Sequence, residues 1–174
     1  LRPDEVDYAS CFAIPMATKG LKVLSRKSYE QHAGAYYDNP LSSRYDENDA
    51  LMYFDDVKVP WERVFVHRDP EMCRRQFHDT PGHIYQNYQA QIRLTVKLKF
   101  LAGLARAVCE TIGTVKLPAV AESLGKMAAQ AAAVENMMWG MEAKGSQWGK
   151  YFVPDRHAVY AAQTLTQEYY PLMI

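Results

Sequence analysis

The sequence predicts an α+β protein in which short strands come first and long helices follow. Two observations carry this. Up to about residue 66 the apolar residues fall in short runs, closed by Pro, Gly or Asp. From Arg68 onward apolar residues recur every three or four positions, the spacing of a helix face. The change of period divides the 174 residues into 1–66 and 67–174.

In the first part, Tyr8–Met16 is an apolar run that closes on Pro15 and then Lys19-Gly20, a turn signal. Leu21–Leu24 is a second strand. Gly34, Asp38, Asn39 and Pro40 make 32–40 a loop. Ala50–Phe54 is a third strand, followed by Asp55-Asp56. Val57-Lys58-Val59 alternates as a strand does and stops at Pro60, which cannot donate to a central ladder. Val64–Val66 is a fourth.

In the second part, Pro81 and Gly82 separate a short helix from a long one, with Thr80 placed as an N-cap before Pro81. Ile84, Tyr88, Ile92, Leu98, Leu101, Ala105, Val108 and Ile112 form the stripe of the long helix, which stops at Gly113-Thr114. Leu117, Val120, Leu124, Met127, Ala131, Val134, Met138 and Met141 then alternate steps of three and four. Such a seam suits packing on a near-antiparallel neighbour. Gly145 to Gly149 breaks the pattern. Pro154-Asp155 restarts it, with Val159, Ala162, Leu165 and Tyr169 as a third stripe.

Composition narrows the function. Twenty Lys and Arg balance 20 Asp and Glu, so nothing favours a nucleic-acid surface. Apolar residues at 48% and charged ones at 23% argue against disorder. Cys11, Cys73 and Cys109 form no Cys-x-x-Cys pair or disulfide framework, so a reducing cytoplasm is expected. No apolar run reaches the roughly 20 residues of a membrane helix, and no signal peptide is visible. A polar start without Met and the apolar end Tyr170–Ile174 suggest an interior piece of a longer chain.

Few residues offer chemistry on their own. His78 and His83 are five apart, roughly 140° around a helix, and no Cys/His cluster accompanies them, so no metal site is expected. Phosphate loops and a Gly-x-Ser-x-Gly elbow are missing. His83 reads either as a surface or capping histidine, the commoner use, or as a ring held neutral near a ligand at a helix start. His32 opens the loop and is solvated unless it joins a site. Met137–Met141 fits core packing better than a flavin-facing box. Arg93 and Lys97, one helical turn apart, either snorkel or contact a phosphate. Ser42-Ser43-Arg44 precedes Asp46-Glu47-Asn48-Asp49. The hydroxyls and the Arg either bind a ligand oxygen or form a polar turn with a local ion pair.

Several stretches together resemble one family. They are Tyr-Asp-Asn-Pro-Leu-Ser-Ser-Arg-Tyr-Asp-Glu-Asn-Asp-Ala at 37–50, Phe-Asp-Asp-Val-Lys-Val-Pro-Trp-Glu-Arg-Val-Phe at 54–65, and His-Arg-Asp at 67–69. Arg-Lys-Ser-Tyr-Glu at 26–30 and Gln-Ile-Arg-Leu-Thr-Val-Lys-Leu-Lys-Phe at 91–100 extend the match. The chain is similar to the oxygenase component of 4-hydroxyphenylacetate 3-monooxygenase and related phenol, chlorophenol and tyrosine hydroxylases.

The resemblance implies an acyl-CoA dehydrogenase-like fold. Residues 1–66 would end its middle β-domain, and 67–174 would begin a C-terminal helical bundle that assembles as a homotetramer or homodimer. It implies ortho-hydroxylation of a phenol with O2 and reduced FAD, through a flavin C4a-hydroperoxide, the FADH2 arriving by diffusion from a separate reductase. Ala35, Tyr36 and Tyr37 would belong to a lid over the substrate, and Ser42 and Ser43 would hold the acid end of an arylacetate. Ser28, Tyr29, Glu30, Arg44 and Arg93 would face the flavin. The family's phenol-contacting Arg, Tyr and His align upstream of Leu1, which leaves His83 as the candidate base. A flavin-contacting segment aligns beyond Ile174. The lid looks shorter than in arylacetate hydroxylases and carries adjacent tyrosines, leaving the phenol open. Two alternatives stand beside this reading: an acyl-CoA dehydrogenase-like flavoenzyme, and a non-catalytic fragment whose helix seam forms oligomers.

Overall fold

The computed structural model describes residues 2–45 and 49–174. In chain order it contains β1 (Ser10–Phe12), β2 (Leu21–Ser25), β3 (Ala50–Phe54), β4 (Val64–His67), α1 (Pro70–His78), α2 (Gly82–Thr111), α3 (Pro118–Ala143), β5 (Ser146–Trp148), β6 (Tyr151–Val153) and α4 (Arg156–Met173). It forms two units, Leu1–Cys73 and Arg74–Ile174.

In the first unit β1 pairs antiparallel with β4, Cys11 opposite Val66, with a bulge between Cys11 and Phe12. β2 pairs antiparallel with β3, Leu21 opposite Phe54 and Ser25 opposite Ala50. The Leu21 end of that ladder closes at Gly20, whose carbonyl accepts the Asp55 N–H at 2.9 Å. Gly20 has φ +89°, and a Cβ there would lie 2.3 Å from the Asp55 carbonyl oxygen, so a side chain is excluded. Lys22 Nζ pairs with Asp55 at 2.6 Å beside it. Val57–Val59, which alternates as a strand does, forms no strand. Asp56 turns the chain with φ 48°, and a 3-10 turn at Trp61–Arg63 follows Pro60 directly, leaving too short a stretch to pair. Phe12 meets Phe54 edge-on at 5.9 Å. Ala9 and Val66 are buried here, whereas Leu51 and Phe65 are each 67% exposed. The strand faces therefore keep much apolar surface open.

The second unit carries the larger core. α2 starts at Gly82, one residue later than expected, with Pro81 at its N-cap position. The Thr80 hydroxyl donates to the Gln76 carbonyl at 2.7 Å and accepts the Gly82 N–H at 3.3 Å, so it ties the end of α1 to the start of α2. The buried face of α2 also departs from the apolar stripe. Gln91, Thr95 and Leu98 are buried, while Val108 and Ile112 are exposed. α3 and α4 pack on the face that carries two polar residues. Thr95 fits there because its hydroxyl donates back to the Gln91 carbonyl at 2.9 Å.

The seam of α3 is as expected from Val120 onward. Ala131 and Val134 meet Leu98 and Met173 in one cluster. Met141 meets Val159 and Ala162 in another, flanked by Ile84 and Tyr88. The glycine-bounded break at 145–149 holds a hairpin, β5 with β6, Trp148 opposite Tyr151. Gly149 opens its two-residue loop at φ +59°, as a type II′ loop requires. The Tyr85 hydroxyl donates to the Phe152 carbonyl at 2.6 Å and pins the hairpin to α2. Asp155 caps α4 by accepting the Ala158 N–H at 2.8 Å.

Candidate functional site

The loop between β2 and β3 gathers most of the residues singled out in the sequence. Its first corner is Ser28–Glu30. Ser28 Oγ accepts the Gln31 N–H at 3.2 Å, and the Ser28 carbonyl accepts from His32 Nδ1 at 2.8 Å. His32 is thus spent on closing the turn. The Arg26 guanidinium lies over the Tyr29 ring at 4.5 Å and donates to the Lys27 carbonyl at 2.8 Å, with Asp49 3.8 Å away. An exposed aromatic face backed by a cation is the outcome, and Arg26 was not singled out in the sequence.

The second corner is Ala35–Tyr45. The Asn39 N–H bonds the Ala35 carbonyl and the Ser43 N–H bonds the Asn39 carbonyl, each at 3.1 Å, so Ala35 and Ser43 share one coiled turn. Arg44 lies over the Tyr36 ring at 4.2 Å. Of the Asp46-Glu47-Asn48-Asp49 run that could pair with Arg44 in a polar turn, residues 46–48 lie outside the described residues. Tyr37 is 92% exposed. Ser42 and Ser43 are half-buried. The Ser43 hydroxyl oxygen is buried and has no hydrogen-bond partner among the described residues. A buried hydroxyl left unpaired is costly and uncommon.

His83 and Arg93 belong to the helical unit. Arg93 lies on an exposed position of α2. His83 is half-buried in the first turn of α2, and both ring nitrogens are engaged. Nδ1 is 2.8 Å from the Tyr160 hydroxyl, and Asn87 Nδ2 is 3.2 Å from Nε2. Asn87 also donates to the His83 carbonyl at 2.8 Å. With an amide N–H facing Nε2, that nitrogen accepts and Nδ1 carries the proton. Phe77 meets the ring edge-on and His78 meets it at a tilt, each at 5.0 Å between centroids. Sequence reading missed Asn87, Tyr160 and Arg156 here. Asn87 was within reach, since it stands one turn after His83. Among the described residues no group of three His, Cys, Asp or Glu could hold a metal, and no helix is long and apolar enough to cross a membrane.

The sequence profile described as 4-hydroxyphenylacetate 3-hydroxylase N terminal matches residues 1–66, and its C-terminal counterpart matches 73–174. The chain belongs to the 4-hydroxyphenylacetate 3-hydroxylase family. It is 40% identical over 162 residues to the 4-hydroxyphenylacetate 3-monooxygenase oxygenase component of Klebsiella oxytoca, covering 88% of this chain and 30% of that protein. Against the oxygenase component of the same name from Pseudomonas aeruginosa the identity is 36% over 177 residues, 97% of this chain and 33% of the relative. The oxygenase component of a Rhodococcus 4-nitrophenol 2-monooxygenase is 37% identical over 78% of this chain and 26% of its own length. The chain thus spans about a third of the relatives it matches. A crystal structure of an oxygenase component of 4-hydroxyphenylacetate 3-monooxygenase, complexed with FAD and 4-hydroxyphenylacetate, superimposes with TM-score 0.90 at 31% identity, over 99% of this chain and 36% of that one. An archaeal 4-hydroxybutyryl-CoA dehydratase from N. maritimus shares the fold, TM-score 0.78 at 17% identity. The α+β, acyl-CoA dehydrogenase-like fold expected from the sequence is the one found.

Proposed function

We propose that the protein is the oxygenase component of a two-component monooxygenase that hydroxylates a phenol ortho to its hydroxyl, using O2 and reduced FAD from a separate reductase. The observation that carries this is the buried, unpartnered Ser43 hydroxyl in a loop lined by aromatic rings and guanidinium groups. A family relative has been solved with FAD and a phenolic acid bound.

Ser43, with Ser42 beside it, receives the carboxylate of an arylacetate. Ala35, Tyr36 and Tyr37 cover the ring, and the Arg44–Tyr36 stack holds that cover in place. The loop fits a flavin at its first corner: the Tyr29 face, backed by Arg26, offers a ring contact and positive charge, with Ser28 and Glu30 beside it. Arg44 serves its charged parts. Reduced FAD, when bound, supplies the two electrons that let one oxygen atom of O2 enter the ring while the other leaves as water. The chain's own task is to hold the phenol in line and keep water out. His83, with both nitrogens engaged, acts as a positioning group rather than as the base. Residues 1–66 are assigned to the middle β-domain and 67–174 to a helical bundle of a homotetramer or homodimer. Unpaired Cys11, Cys73 and Cys109 suit a reducing cytoplasm.

The test replaces both serines by alanine (Ser42→Ala with Ser43→Ala). KM should rise for 4-hydroxyphenylacetate and stay unchanged for unsubstituted phenol. Equal effects on the two substrates would remove the serines from carboxylate binding.

A further inference from the structure

The helical unit contains an open cavity of about 340 Å³, lined by none of the residues assigned above. The α1–α2 turn, the β5–β6 hairpin and the start of α4 enclose it. Several polar groups on its wall are already committed within the fold. Asp79 accepts from Arg75 Nε at 2.7 Å, Asp155 caps Ala158, and Thr80 bonds Gln76.

Two cation-forming groups differ. His78 makes ring contacts with Phe77 and His83, and has no hydrogen-bond partner among the described residues. Arg156 donates through Nε to the Tyr160 hydroxyl at 3.1 Å and lies over the Tyr160 ring at 5.3 Å. Its two terminal nitrogens have no partner among the described residues, so the fork is held at its base and open at its tip. The hold has depth. Asn87 fixes His83, His83 fixes the Tyr160 oxygen, and Tyr160 fixes Arg156. Supporting bonds of this kind orient a contact group before its ligand arrives. Half-exposed Trp148, with Val153 and Ile84, supplies an apolar wall.

We infer that this cavity binds a single-ring aromatic carboxylate, its carboxylate on the Arg156 fork and its ring against Trp148. A guanidinium fork matches the two oxygens of a carboxylate in plane. The carboxylates of Asp79 and Asp155 on the same wall favour a monoanion over a dianion such as phosphate. The aromatic wall selects a planar body over a small ion. Binding requires neither flavin nor O2, so the inference stands or falls separately from the monooxygenase reading.

Calorimetric titration of the flavin-free protein tests it, with benzoate and inorganic phosphate as probes. Benzoate should bind at one site and quench Trp148 emission, a signal lost in Trp148→Phe. Arg156→Gln and Arg156→Lys should each weaken benzoate at least about tenfold, because the fork is lost in both. Tyr160→Phe, which frees the base of the fork, should weaken it less. Arg156 is exposed, and unchanged thermal melting of its variants confirms that they fold. The inference is overturned if benzoate gives no saturable heat, if it binds Arg156→Gln as tightly as the parent, or if phosphate binds more tightly than benzoate.

Discussion

Ser43→Ala should make the ligand-free protein more stable and the substrate complex weaker. The Ser43 oxygen is buried without a partner. Leaving a hydroxyl in that state costs about 1–3 kcal/mol. Removing it recovers that penalty, less a few tenths of a kcal/mol for the small space left behind. A net gain of about 1 kcal/mol follows, which moves a urea midpoint up by about 0.5 M for an ordinary slope. In the proposed complex the same hydroxyl would donate to a carboxylate, a bond worth about 1.5–3 kcal/mol net. Its loss weakens an arylacetate by about 10- to 150-fold. Urea denaturation with and without 4-hydroxyphenylacetate reads both effects in one experiment: the variant's midpoint rises without ligand, and the ligand-induced rise shrinks. A variant that is 1 kcal/mol less stable and binds as before would show that the hydroxyl has a structural partner, and the site assignment would fail.

Leu98 is fully buried against Ala131, Val134 and Met173, so Leu98→Ala should destabilise the helical unit by about 2–5 kcal/mol in urea melts; a loss below 1 kcal/mol would contradict that packing. The Tyr88 pKa is pushed up to about 12, first by its hydrogen bond to the Glu142 carboxylate, then by burial and by that charge. The folded value lies above the ordinary value near 10, so this contribution to stability is complete below pH ~10 and is lost as pH rises toward 12. Ultraviolet titration should show one tyrosine ionising late, absent in Tyr88→Phe; identical titrations would refute the pairing. Gly20→Ala should destabilise by more than about 1 kcal/mol in the same urea assay, from the positive φ and the clash with the Asp55 carbonyl.

Local signals were legible where one rule governed. Leu21–Leu24 and Ala50–Phe54 read as strands because turn residues bound both, and they pair with each other. The α3 seam read correctly because nearly every inward position is apolar. α2 read only in part: Ile84, Tyr88, Leu98 and Leu101 pack inward as the stripe requires, but Gln91 and Thr95 are buried too, while Ile92, Val108 and Ile112 are exposed. A pattern reading follows apolar residues and passes over buried polar ones: Thr95 bonds the Gln91 carbonyl, while Gln91 Oε1 is buried with no hydrogen-bond partner among the described residues. The β5–β6 hairpin is signalled by Gly149-Lys150 between Trp148 and Tyr151, a two-residue Gly-x loop, but the same glycines also interrupt a helical period and read as a break. At the site, Ser42 and Ser43 stood out as hydroxyls beside Arg44. The stacking of Arg44 on Tyr36 did not, since it depends on the path of the loop. The setting of His83 was further out of reach, because Tyr160 is 77 residues away along the chain.

The most direct test of the monooxygenase reading is the stoichiometry of oxygen use. The protein would be supplied with reduced FAD, O2 and 4-hydroxyphenylacetate, and the catechol formed measured against O2 consumed. The predicted result is close to one catechol per O2, with hydrogen peroxide appearing when the phenol is left out. Peroxide formed in equal amount with and without the phenol, and no ring-hydroxylated product, would contradict it.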